Sequence, residues 1–307
     1  MITMIDLNTL PDGYIERHTE QYYGLLDRLR DRKRDIVPVE GFEPGLFVAL
    51  SGGVDSVTAL KFACNYADNR GLRREQVHAV ICTRDNSDLY EGEKRDLHYA
   101  RKIAKEFAVN AKEVKVSPIL RASYVTVSGS EIPILEDERI CLARGFATYV
   151  LEAKLGAVSI DTTNFSENLS GQWTPGAYDG QIRLIADLFK TEVYSFARAI
   201  GVPENIIKRP KVSSELREGA VFTNYERLDP VLFNWLVGKN REEIAEALNE
   251  DLKYVERVIS RVETFVGRWW EVSHDDQLDV KLWYDKLLRE DELVQELHKW
   301  RVQKWLI

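Results

Sequence analysis

The chain has 307 residues, 44% of them hydrophobic and 30% charged, with a formal net charge of −8. That composition can bury a large core, excludes a disordered or fibrous chain, and argues against broad electrostatic binding to nucleic acid or an anionic membrane. No apolar run reaches the roughly 18 residues of a membrane span, and the start MITMIDLNTLPDGYIERH lacks a signal-peptide layout, so a soluble, cytoplasmic protein is expected.

Residues 14 to 34 are charged, with Tyr22, Leu25, Leu26 and Leu29 at helical spacing, and predict one amphipathic helix. After the turn GFEPG, the apolar run Leu46 to Leu50 predicts a buried parallel strand that leads straight into Ser51-Gly-Gly-Val-Asp-Ser. A helix is expected from about Ser56 to Tyr66. A second strand, Val77 to Cys82, precedes a helix with the stripe Leu97, Ala100, Ile103, Ala104 and Phe107. A third strand is placed at Val114 to Val116, a helix at Arg139 to Leu155, and a fourth strand at Ala157 to Ile160.

This alternation predicts an α/β fold: a doubly wound, mostly parallel sheet in residues 41–227, an N-terminal helix within 1–40 available as a dimer contact, and a helical C-terminal extension over 228–307. Ligands of such sheets bind beyond the carboxyl ends of the strands, which singles out 51–56, 83–88 and 161–167. The extension carries six of the seven tryptophans, expected to pack between helices or else to stack on a substrate or a protein partner. Its segment Asn240-REEIAEALNEDLKYVERVISRV scans like a helix-turn-helix. Its mixed charge offers no basic stripe, so no nucleic-acid role is expected. Cys64, Cys82 and Cys141 are odd in number and widely spaced, which suggests reduced core thiols.

LSGGVDS is the sharpest signal. Two glycines after a strand let the backbone turn tightly and present N–H groups at a helix N-terminus, a natural anion site. Ser51 and Ser56 add hydroxyl donors. Asp55 would repel a phosphate unless a cation sits between them, which points to Mg²⁺. The pattern is neither GxxxxGK[ST] nor GxGxxG, and a generic strand-to-helix turn is the plain alternative.

SGGVDS after a hydrophobic strand resembles the signature of the PP-loop ATP pyrophosphatases, whose fold is adenine nucleotide α-hydrolase-like and which adenylate a substrate while releasing pyrophosphate. The stretch from Arg144 onward resembles the NAD synthetase family in particular. It carries Arg144-GFAT-Tyr149, Leu155-Gly156, Asp161-Thr-Thr-Asn-Phe-Ser-Glu167, Gly171-Gln-Trp-Thr174, Asp187-Leu-Phe-Lys-Thr-Glu-Val193, Lys211-VSSE-Leu216 and Tyr225-ERLDPVL in the family's order, with the family's spacing kept from Arg144 to Glu167 and one residue fewer before Lys190.

The resemblance implies an ATP site of Leu50, Ser51, Gly52, Gly53, Asp55, Ser56, Thr83, Arg144, Thr162, Lys190 and Ser213, with Asp55, Lys190 and Arg144 catalytic. It implies an acceptor site of Asn164, Trp173, Asp179, Asp187 and Lys211, and Mg²⁺ held by Asp55 and Glu167. From the residues alone, Lys190 could instead be a surface lysine, Glu167 a turn cap and Asp187 an N-cap. The implied reaction joins ammonia to a carboxylate acceptor, deamido-NAD, in a homodimer. The family's Asn-x-x-Ala-Arg is replaced by Glu138-RIC-Leu142, its Tyr-Gly-Asp-Gly region by Pro175 to Gly180, and its C-terminal Lys-Arg pair by Gly267-Arg-Trp-Trp270. Its acidic insertion before Tyr225 is absent. These departures fall on acceptor-handling parts, so another acceptor, for amidation or for sulfur transfer, stays open. No glutaminase segment is evident, so free ammonia or a separate glutaminase subunit is expected to supply nitrogen.

Overall fold

A computed structural model describes residues 10–37, 39–85, 89, 91–126, 136–172, 174, 177–178, 180–209, 224–273, 284, 286 and 288–306, with backbone alone for 124–126, 136–137 and 265–273. Four parallel strands, β1 (Leu46–Ala49), β2 (Val77–Thr83), β3 (Asn110–Lys115) and β4 (Val158–Ile160), form a sheet in the order β3-β2-β1-β4. Going from β1 to β2 moves one way across the sheet, whereas β4 lies on the other side of β1. The carboxyl end of β1 is therefore a topological switch point.

Alternation along each strand divides the core between the two faces. Leu46, Val48, Leu50, Ala79, Ile81, Val158 and Ile160 join one cluster with α1 (Tyr14–Ile36), α2 (Val54–Asn69), α3 (Glu91–Glu106) and α7 (Lys190–Ala199). Phe47 and Val80 point the other way, where Ala157 and residues of α5 (Glu136–Leu155) cover them. Both faces are thus buried, as a continuous apolar strand requires. The expected helix and strand order stands. β3 starts upstream of Val114, because NAKEVK alternates half-buried and exposed residues at a sheet edge and offers no apolar run to read.

The remaining helices are α4 (Ser117–Thr126), α6 (Phe165–Ser170), α8 (Glu204–Ile207), α9 (Tyr225–Leu236), α10 (Arg241–Leu248), α11 (Leu252–Ser273) and α12 (Glu292–Trp305). A second core unites α6, α9, α10, α11 and α12 through Phe165, Leu232, Phe233, Ile244, Val258 and Trp305. The α10–α11 pair, which in sequence scans like a DNA reader, packs into this core, and Arg261 of α11 donates to the carbonyl of Ser170 at the end of α6 (2.9 Å). α12 contributes Leu297 and Trp300 to the sheet core and Val294 and Trp305 to the helical core. Trp235, Trp300 and Trp305 are buried, as helix packing requires, while the side chains of Trp269, Trp270 and Trp283 lie outside the described residues. No described helix is long and apolar enough to cross a membrane.

Candidate active site

The loop after β1 is built by its own side chains. Ser56 Oγ donates to the carbonyl of Gly53 (3.0 Å) and accepts from the amide of Ser51 (3.2 Å), while the amide of Gly53 donates to Ser51 Oγ (3.3 Å). Gly52 has φ +87°, and a Cβ there would meet the Asp96 carbonyl oxygen of α3 at 2.5 Å, so both conformation and space demand glycine. Gly53 caps α2 without a side chain, which leaves the first-turn amides of Val54, Asp55 and Ser56 directed out of the helix end. Those donors and the helix dipole suit an anion. Leu50 is buried beneath the loop, and Thr83 is half-buried at the end of β2.

Across the switch point, the backbone leaving β4 through Asp161 and Thr162 enters α6. Asn164 caps that helix by accepting from the amide of Glu167 (3.0 Å), and Glu167 Oε2 accepts from the amide of Asn164 (3.2 Å). Asn164 also reaches Asp55, its Nδ2 donating to Oδ1 at 3.4 Å. Lys190, the first residue of α7 and 5% exposed, donates to Asp55 Oδ2, lies 3.8 Å from Glu167 Oε1 and sits 5.5 Å from the ring centroid of Tyr225. Lys190 is thus a buried member of the site and not a surface lysine. Glu167 does cap its helix, and it faces the lysine as well.

The place of Lys190 is set from behind. Its amide donates to Ser166 Oγ (2.8 Å), Ser166 Oγ donates to Asp229 Oδ1 (2.6 Å), and the amide of Thr191 donates to Asp229 Oδ2 (2.9 Å). Asp229 is fully buried, and desolvation pushes its carboxyl up to about 6 against the pull of these hydrogen bonds.

Arg144 belongs to a second cluster. It donates to Glu93 of α3 (3.0 Å), and the same carboxylate pairs with the buried Arg84 just after β2. α3 thereby links both clusters, since its Asp96 pairs with Arg209, which also donates to the carbonyl of Gly52 (2.8 Å). Asp187 stands apart from the loop: Tyr14 of α1 donates to it (3.2 Å), His18 is 3.9 Å away, and Phe189 rather than Asp187 is the N-cap of α7. Trp173, Asp179, Lys211 and Ser213 lie outside the described residues.

Sequence reasoning misses Glu93, Arg84, Arg209, Ser166 and Asp229. Each reads locally as a helix-surface charge, a strand-end arginine or a small polar residue, and only long-range pairing gives it a role. The pointers available are the Tyr225-ERLDPVL segment, which contains Asp229, and the strand-end stretches 83–88 and 161–167, which contain Arg84 and Ser166.

A family model described as NAD synthase matches residues 25–265. This chain belongs to the NAD synthase family. It is 30% identical over 246 residues to the NH(3)-dependent NAD(+) synthetase of Pyrococcus horikoshii, covering 76% of this chain and 88% of that protein. To that of Methanocaldococcus jannaschii it is 31% identical over 235 residues, covering 71% and 85%.

Among solved structures it resembles an NMN synthetase from Francisella tularensis (TM-score 0.60, 19% identity, 83% of this chain and 93% of that one). It also resembles an NH3-dependent NAD synthetase from Campylobacter jejuni (TM-score 0.58, 21% identity, 82% and 95%). At these identities the structural likenesses establish the α/β fold. The loop, Lys190 and Glu167 gather beyond the carboxyl ends of β1 and β4, where such folds place ligands.

Proposed function

We propose that this protein is an ammonia-dependent ligase that amidates deamido-NAD at the expense of ATP, releasing AMP and pyrophosphate. One observation carries the reading: Asp55 of the Ser51 to Ser56 segment, an ATP-pyrophosphatase signature in sequence, meets Lys190 of α7, and Glu167 of α6 faces the same lysine. The names of the two archaeal relatives, NH(3)-dependent NAD(+) synthetases that this chain covers at 88% and 85% of their length, support the acceptor and the nitrogen source.

The loop amides and the hydroxyls of Ser51 and Ser56 hold the triphosphate, with Thr162 donating to the pyrophosphate and with Leu50, Thr83 and Ser213 assigned to the same ATP site. The acceptor carboxylate attacks the α-phosphorus, the bond to the β-phosphate oxygen breaks, and pyrophosphate leaves. Lys190 stabilises the charge that develops on the phosphoryl oxygens in the transition state, and Arg144 holds the phosphate groups in place for it. Ammonia then adds to the acyl carbon and AMP departs with the bonding pair. No side-chain nucleophile takes part. Asn164, Trp173, Asp179, Asp187 and Lys211 are assigned to the acceptor.

Asp55 and Glu167 suit Mg²⁺ by donor chemistry, since two hard carboxylates already face one cation, the ammonium of Lys190. Among the described residues no group of three His, Cys, Asp or Glu could hold a metal. The pair therefore provides part of a shell that phosphate oxygens and water would complete. Mg²⁺ bound there would neutralise charge on the departing pyrophosphate.

We assign residues 41–227 to the catalytic sheet domain and place the enzyme in the cytoplasm as a homodimer. α1 spends Tyr14, Tyr23 and Leu26 inside the chain's own core. α5 instead exposes Leu142 (37%), Phe146 (59%), Tyr149 (55%) and Val150 (45%) at helical spacing, the better surface for a second copy.

The functional test is pyrophosphate release from Mg-ATP and ammonium across deamido-NAD, nicotinate mononucleotide and other carboxylates. Turnover headed by deamido-NAD, with glutamine unable to replace ammonium, is expected. Turnover on another acid alone would reassign the acceptor, and glutamine hydrolysis by the purified chain would overturn the nitrogen source.

A further inference from the structure

α12 lies beyond residues 25–265, the part matched by the family model, yet it reaches the helix that carries Lys190. Arg301 is its most buried polar residue, 1% exposed. Its Nε and Nη2 donate to both carboxylate oxygens of Glu192 (2.8 and 2.7 Å), a bidentate fork, and Glu192 itself is fully buried. Nη2 also donates to the carbonyl of Asp187 (2.5 Å), and Nη1 donates to the hydroxyl of Tyr284 (3.3 Å). The guanidinium lies over the ring of Phe189 at 4.8 Å.

Glu192 is the third residue of α7, and its Oε2 accepts from the amide of Phe189 (2.8 Å), closing the helix N-terminus one residue before Lys190. Arg301 therefore grips residues 187, 189 and 192, on both sides of the lysine, from within the chain's C-terminal helix.

We propose that Arg301 is a positioning residue for Lys190, and that the C-terminal helix is a working part of the active site through the Arg301–Glu192 pair. A buried bidentate arginine fixes both distance and orientation of its partner, which a point-charge lysine cannot. Lys190 must meet a charge that exists only in the transition state, and a displacement of about 1 Å there can cost on the order of a hundredfold in rate. Holding the first turn of α7 holds the lysine.

The inference rests on the ligase reading for its kinetic arm, so a second arm is independent of activity. Full-length wild type, Arg301→Met, Arg301→Lys and the double variant Glu192→Gln/Arg301→Gln are compared by steady-state pyrophosphate release and by amide hydrogen exchange of the peptide spanning 187–193. For Arg301→Met, kcat should fall roughly tenfold or more while the KM for ATP stays within about threefold, and exchange should quicken at 187–193 but not in β1 or α2. Arg301→Lys should recover part of both, since charge returns without the fork.

The double variant leaves no charge unpaired and should fold, with kcat still reduced. An inactive wild type would refute the ligase reading alone, leaving the exchange arm to decide. Folded variants with wild-type exchange at 187–193, or with wild-type kcat in an active enzyme, would overturn the positioning role. So would failure of all three to fold, which would make the pair a general stabilising element.

Discussion

The two cations assigned to the phosphates, Lys190 and Arg144, are held in opposite ways. Lys190 is buried, contacts carboxylates from two elements and has its backbone fixed by Ser166 and Asp229, with Arg301 gripping the same helix turn. The Arg144 side chain is 40% exposed and is held through Glu93, which it shares with Arg84. A charge that acts on the transition state works best when it is already locked in place, because no reorganisation is needed as the reaction proceeds. A charge that gathers substrate can move with it. The contrast assigns Lys190 mainly to kcat and Arg144 mainly to nucleotide binding.

Replacing Lys190 by Met should have the largest effect, a fall in kcat of roughly a thousandfold, measured as pyrophosphate release at saturating ATP. Asp55→Ala should follow, with at least about a hundredfold loss, because the lysine loses its closest carboxylate and a Mg²⁺ held there would lose a ligand. Wild-type turnover in that variant would remove Asp55 from the mechanism. Glu93→Gln should be milder and of another kind. Freed from its carboxylate, Arg144 should raise the KM for ATP about tenfold with kcat nearly unchanged, and an equal fall in kcat would erase the proposed distinction.

The smallest effect concerns Asp229, which supports Lys190 and not Arg144. Its folded-state pKa of about 6 lies above the ordinary 3.8, so folding favours its protonated form. Its contribution to stability is full below about pH 4 and is lost as pH rises through about 6. Relative to Asp229→Asn, the wild type should therefore lose on the order of 2–3 kcal/mol of unfolding free energy between those limits, read from denaturant midpoints at each pH. A flat difference would mean that the carboxyl stays ionised throughout.

The same contrast marks what can be read from the chain itself. β1, the SGGVDS turn and α2 are legible because a buried strand, a tight glycine turn and a helix start leave local patterns. Lys190 and Glu167 are legible through their spacing in a recognisable family. What escapes is what holds them: Glu93 and Arg301 have ordinary neighbours in sequence, and Ser166 and Asp229, although inside recognisable segments, have partners that only the fold brings near. Arg301 lies 109 positions from Glu192, a separation at which no periodicity speaks. The start of β3 escapes for a related reason, as an edge strand shares its residues with solvent and shows weak hydrophobic contrast.

In the proposed reaction the acceptor carboxylate attacks the α-phosphorus of ATP at the site built around Lys190 and Asp55. Deamido-NAD labelled with ¹⁸O in its carboxylate, turned over with Mg-ATP and ammonium, tests it directly by mass spectrometry of the products. One ¹⁸O should appear in the phosphoryl group of AMP and none in pyrophosphate. Label in pyrophosphate or inorganic phosphate, or amide formation with unlabelled AMP, would contradict adenylation of the acceptor.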